Sequence, residues 1–158
     1  MAQDVDVTVA AVIERDGRFL LVEERVAGRL VLNQPAGHLE QGESLITAVA
    51  REALEETGYR FTPTHVVGLY LWRSETAGTT YLRVAFCGSA EAPPGPVQLD
   101  DGIVGTHWLS RRQLLQRSAQ LRSPMVMRCL DDYLAGRRYP LDCLTYLAPE
   151  TLAQAAHA

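Results

Sequence analysis

Over residues 5–13 apolar and polar positions alternate (Val5, Val7, Val9, Ala11, Ile13), and an apolar run returns over 19–22 beyond Asp16-Gly17. A period of two broken by Asp-Gly predicts an opening β-hairpin. A short strand is expected over 30–34, stopped by Pro35. The period then changes. After Glu43 the apolar residues Ile46, Val49, Ala50 and Ala53 recur at helical spacing, Ser44 stands where an N-cap belongs, and Gly58 stands where a helix ends. Two further runs, 66–73 and 79–87, are apolar, β-branched and aromatic, and Glu75-Thr76-Ala77-Gly78 between them suggests a second hairpin. Ala92-Pro93-Pro94-Gly95-Pro96 reads as a loop and 104–109 as a strand. Ser110 is placed to cap a short helix reaching Arg117, and Ser123-Pro124 to open a longer one ending near Gly136. Strands on both sides of a central helix, with more helices late, predict an α+β fold in which a mixed sheet is covered on both faces. Residues 1–148 are expected to form one domain and 149–158 a frayed tail or loose helix.

The helix after Glu43 carries its acids awkwardly. At about 100° per residue, Glu52, Glu55 and Glu56 gather on one flank of the apolar stripe, with Glu56 nearest the buried edge. Like charges at i,i+3 and i,i+4 destabilise a helix by roughly 0.2–0.5 kcal/mol a pair, and an anion in the last turn costs about 0.3–1 kcal/mol against the macrodipole. Arg51, one turn before Glu55, offsets part of this. A hard divalent cation removes the conflict, since Mg²⁺ and Mn²⁺ seek carboxylate, carbonyl and water oxygens. A solvated acidic face is the ordinary use of a Glu pair, so the decision rests on the wider pattern.

That pattern is Gly37, five residues, Glu43, seven residues, Arg51-Glu52, Ala53, any residue, Glu55-Glu56, any residue, Gly58, Tyr59. It resembles the Nudix box at every fixed position, with Ala53 a small residue where a bulkier apolar one is common. The resemblance implies an α/β/α sandwich with a central mixed β-sheet. It also implies hydrolysis of a diphosphate linked to another moiety, with Mg²⁺ as cofactor and Mn²⁺ able to substitute. Carried over by residue, it makes Glu52, Glu55, Glu56 and the Gly37 carbonyl metal ligands. Arg51 then orients the cluster, and Glu43 braces the loop. Glu52, Glu55 and Arg51 form the expected catalytic set. Glu52 is the first candidate for general base, and Asp100 or Asp101, in the turn before the 104–109 strand, is an alternative base. Turn chemistry accounts equally well for that Asp pair.

Composition narrows the partners. A chain of 158 residues with 47% apolar and 22% charged content is ordinary for a globular protein with a substantial core. A formal charge of −4 without a basic run gives little support for a nucleic-acid polymer or a membrane surface. No apolar run approaches a membrane span, and Met1-Ala2-Gln3-Asp4 does not open like a signal peptide, so a cytoplasmic monomer or homodimer acting on a small molecule is expected. Cys87, Cys129 and Cys143 show no metal-like spacing and are expected as reduced, buried thiols.

The substrate signals lie outside the box. ADP-ribose hydrolases place a proline near the position of Ser74, and no proline lies between Pro63 and Pro93. Asn33-Gln34-Pro35-Ala36-Gly37-His38-Leu39-Glu40, Leu82-Arg83, Leu121-Arg122-Ser123-Pro124 and Arg138-Tyr139-Pro140-Leu141 resemble the NudJ-type branch. That branch implies a loosely selective nucleoside tri- and diphosphatase able to act on a pyrimidine pyrophosphate precursor of thiamine. Arg25, Arg83, Arg122 and His38 are the candidate substrate contacts, because guanidinium forks match phosphate geometry. Trp72, Tyr70 and Tyr81 could stack a base, although strand aromatics more often pack a sheet core. The competing readings are a housecleaning nucleotide pyrophosphohydrolase and a non-catalytic nucleotide binder on the same fold.

Overall fold

A computed structural model describes residues 4–148. The chain forms two sheets. In the larger, strands β1 (Val5–Val12), β5 (Ala36–His38), β6 (Arg60–Arg73), β7 (Thr80–Glu91) and β9 (Tyr139–Pro140) lie in the order β5-β1-β7-β6-β9. Only β1 and β7 run parallel, so this sheet is mixed. The smaller sheet is antiparallel and comprises β2 (Glu14–Arg15), β3 (Arg18–Val26), β4 (Arg29–Asn33) and β8 (Ile103–Ser110). Helix α1 (Leu45–Thr57) covers one face of the larger sheet, with Ala48, Val49 and Ala53 against Val9, Ala11, Val84 and Phe86. Helix α3 (Met125–Leu134) covers the other, with Val126, Cys129 and Leu130 against Val12, Val67 and Ala85. The short helix α2 (Arg111–Gln116) starts at Ser110 through a full capping box with Gln113.

The expected opening hairpin is smaller than the alternation suggests. Asp16 and Gly17, at φ 51° and 73°, make the two-residue turn, but only Glu14 and Arg15 pair across it. At Ile13 the chain leaves the larger sheet, because Val9, Ala10, Ala11 and Val12 are buried on both faces between the two helices. Such a strand belongs at a sheet centre. The second hairpin is longer than expected: β6 begins at Arg60, and register shifts at Pro63/His65 and Val66/Gly68 absorb residues that interrupt the apolar pattern. Strand β9 was not anticipated and pairs only with His65 and Val66. Cys87 and Cys129 are buried, but Cys143 is exposed. The expected tail over 149–158 lies outside the described residues.

Helix α1 has the bounds its sequence predicts. The Ser44 hydroxyl accepts from the Thr47 N–H at 3.1 Å, and Gly58 closes the helix in the left-handed region at φ 75°. Beyond it, the Asp100 N–H donates to the Glu55 carbonyl at 3.0 Å, tying the loop before β8 to the helix end.

Candidate active site

Strand β5 and the turn after it run alongside α1, and Arg51 joins them. Its Nε and Nη2 donate to the two Glu43 oxygens at 3.0 and 2.7 Å, its Nη1 to Glu52 and Glu55 at 2.8 and 3.1 Å, and its Nη2 also to the His38 carbonyl at 3.1 Å. Glu43 in turn accepts from the Glu40 N–H at 2.8 Å. One guanidinium thereby fixes the loop against the helix. The same contacts hold the Glu43 carboxyl below its ordinary pKa.

The three helix acids divide. Glu52 and Glu56 are each only 8% exposed. Glu55 faces outward with its side chain 39% exposed, tied to Arg51. The Glu56 carboxylate accepts the Ala36 N–H at 3.0 Å, its single hydrogen bond among the described residues, and burial pushes its pKa up to about 8 despite that bond, with Glu52, Glu24 and Asp100 adding to the rise. Burial also raises Glu52, Arg51 pulls it back, and Glu55 and Asp100 push it up again. Gly37 lies so close that a Cβ in its place would overlap the Glu52 carboxylate. A side-chain-free position beside two buried, under-compensated carboxylates is a cradle of hard oxygens that suits a divalent cation. Among the described residues no three His, Cys, Asp or Glu side chains are already gathered as a cage, and Arg51 engages Glu52 and Glu55. The donor set fits Mg²⁺ once a cation competes for those oxygens.

These groups line one end of a cleft of about 660 Å³ between the two sheets and the start of α3. Gly37, His38, Glu52 and Glu56 are on its wall, as are Arg83 and Arg122. Arg83, only 4% exposed, donates to Gln34 Oε1 at 3.1 Å and Asn33 Oδ1 at 3.2 Å. Arg122 stands 3.7 Å from Glu24, and His38 is 3.4 Å from Asp6. Arg25 is not brought to the cleft: Glu24 and Val26 line it, and strand alternation turns Arg25 to the solvent side. Asp100 and Asp101 are exposed and outside the lining; Asp100 reaches Glu52 and Glu56 only through its field.

One carboxylate went unread in the sequence, and one aromatic pair lies outside the sheet core that strand propensity favours for it. Glu24 is a further carboxylate on the cleft wall, its Oε1 buried without a donor. Only knowing which face of β3 meets the cleft would separate it from Glu23. Trp72 and Tyr81 also line the cleft, stacked with centroids 5.9 Å apart and an 18° interplanar angle, and neither belongs to an apolar core cluster. Tyr70, by contrast, packs beside the core on the α3 side and donates its hydroxyl to Asp132 at 2.9 Å.

The NUDIX domain model matches residues 3–129, most of the chain. The chain belongs to the Nudix family. Its Nudix relatives include the curated phosphatase NudJ of Escherichia coli K12, 41% identical over 138 residues that cover 87% of this chain and 89% of NudJ. NudJ of Shigella flexneri matches to the same extent. A Nudix hydrolase from Nitrosomonas europaea superposes with a TM-score of 0.89 at 50% identity, covering 91% of this chain and 98% of that one. MutT from Burkholderia pseudomallei, at 21% identity and a TM-score of 0.70, shares the fold. As a Nudix hydrolase the chain acts on phosphoanhydride bonds of small pyrophosphate compounds, and among the described residues no helix is long and apolar enough to cross a membrane.

Proposed function

We propose that this chain is a Mg²⁺-dependent phosphohydrolase of nucleoside tri- and diphosphates with loose selectivity, able also to act on hydroxymethylpyrimidine pyrophosphate. The observation that carries the reading is the apposition of Gly37 to Glu52, with Glu56 bonded to the neighbouring Ala36 N–H, in a cleft whose wall also holds Arg122 and His38. The likeness to NudJ over most of both chains supports the phosphatase activity.

The chain's own groups divide the work. Glu52, Glu56 and the Gly37 carbonyl would hold the cation, with Glu55 joining when it leaves Arg51. Bound there, the ion would polarise phosphoryl oxygens and acidify water. Arg51 keeps Glu52 aimed and the loop closed, so the oxygens are presented without reorganisation. Glu52, beside the loop and held by Arg51, would take the proton of the attacking water. Arg122 and His38, flanking the same cleft, meet the phosphate oxygens that project from the acidic end.

A phosphate-release assay with Mg²⁺, on nucleoside tri- and diphosphates and on hydroxymethylpyrimidine pyrophosphate, tests this with and without added pyrophosphatase. Orthophosphate without the helper enzyme is the expected result. Signal only with the helper would make the chain a pyrophosphate-releasing housecleaning enzyme, and none across a broad panel would make it a binder.

A further inference from the structure

Strand register places an unassigned set of groups on the cleft floor. Thr8 of β1 is opposite Arg83 of β7, and Tyr81 of β7 is opposite Trp72 of β6. Arg83 and Tyr81 are two residues apart, so they share a face of the sheet about 6.8 Å from each other. An aromatic rung therefore adjoins a polar one. The polar rung is incompletely bonded: Thr8 Oγ1, Arg83 Nε and Ser123 Oγ are buried without partners, on side chains that are all more than nine-tenths buried and all line the cleft. Buried polar groups without partners are uncommon and costly. The aromatic pair is half-buried, so part of its ring surface is open to the cleft.

Resting on the function proposed above, we infer that Trp72 and Tyr81 form the stacking wall for a planar heterocycle of the substrate, whose acceptor edge is read by Arg83 Nε with Ser123 and Thr8. A third ring extends the Trp72–Tyr81 stack at ordinary aromatic spacing. Arg83 suits a ring edge better than a phosphate. Bonds from its two terminal nitrogens to Gln34 and Asn33 fix the plane of the guanidinium, and the buried Nε–H that is left without a partner matches one ring carbonyl or ring nitrogen. The acidic end of the cleft is left to the phosphates.

Two measurements separate this from a phosphate site. In the first, Trp72 fluorescence, isolated by difference from Trp72→Phe, is titrated in EDTA with a nucleoside monophosphate and with inorganic phosphate. Saturable quenching by the nucleotide alone is expected, weakened roughly tenfold by Tyr81→Ala. In the second, kcat/KM is measured for a nucleoside triphosphate and for inorganic triphosphate. The ratio between them should fall about tenfold in Trp72→Ala and in Tyr81→Ala, and several-fold in Ser123→Ala. Equal losses on both substrates, or equal quenching by inorganic phosphate, would overturn the assignment. Absence of hydrolysis on every pyrophosphate would instead remove the proposed function, and the fluorescence titration would still decide the ring site.

Discussion

Glu56 is a buried carboxylate with one backbone donor, and its native pKa of about 8 lies well above the 4.5 of an unfolded chain. An acid raised in this way favours the folded state fully below the unfolded value. That advantage disappears as pH climbs through the native one. The metal-free protein should therefore lose stability between about pH 5 and pH 8, by on the order of a few kcal/mol. Thermal unfolding in EDTA across that range checks this, with Glu56→Gln expected to flatten the profile. With Mg²⁺ present, the same substitution should keep the fold yet lower turnover by about two orders of magnitude or more. Near-normal turnover would remove Glu56 from the site. At Gly37, the nearest atoms a methyl group meets are the movable end of Glu52, so Gly37→Ala should leave the melting midpoint within a few degrees while turnover drops about a hundredfold from misplacement of that carboxylate. The acids and the glycine were visible as a spacing in the sequence. Glu24, Arg25 and Arg83 were not separable there, because each side chain's role depends on which face of its strand meets the cleft.

At the scale of elements, α1 was the most legible part of the chain, since its start and stop are local chemistry. Removing the Ser44 cap in Ser44→Ala should cost about 1 kcal/mol in denaturant unfolding. Gly58→Ala should cost more, because it adds a left-handed Cβ that also meets the Val97 side chain at 2.6 Å. A smaller loss at Gly58 than at Ser44 would mean that the helix end relaxes freely. The strands were less legible. The alternation over 5–13 identified extended chain but not its partner, and β1 joins β5 and β7 while β3 joins the other sheet. Pairing between β1 and β7 spans more than seventy residues, and no local signal encodes it. Strand propensity favours core packing over base stacking for Trp72 and Tyr81, whereas their register turns them into the cleft.

For the whole molecule, the two sheets with the covering helices α1 and α3 frame a cleft whose buried acids Glu52 and Glu56 are only partly compensated. Binding a cation to the folded state alone adds about 2.7 kcal/mol at a hundred times its Kd. In a chain of this size that corresponds to roughly 5–10 °C in melting midpoint. Scanning calorimetry with Mg²⁺ and then with excess EDTA should show the rise and its reversal, and Mg²⁺ should also reduce the pH dependence assigned to Glu56. A midpoint indifferent to Mg²⁺ would contradict the cradle.

By itself the sequence determined the helix, its caps, the glycine and acids at their spacing, and through these the family and its hydrolytic chemistry, because all of that is written in contacts a few residues long. Only the tertiary structure decided that Glu52 and Glu56 are buried while Glu55 is not, that Arg83 rather than Arg25 faces the cleft, and that an aromatic rung stands beside a polar one. Those outcomes depend on how distant strands pair and which face each one shows, and alternation along a single strand specifies two faces without saying which is inward.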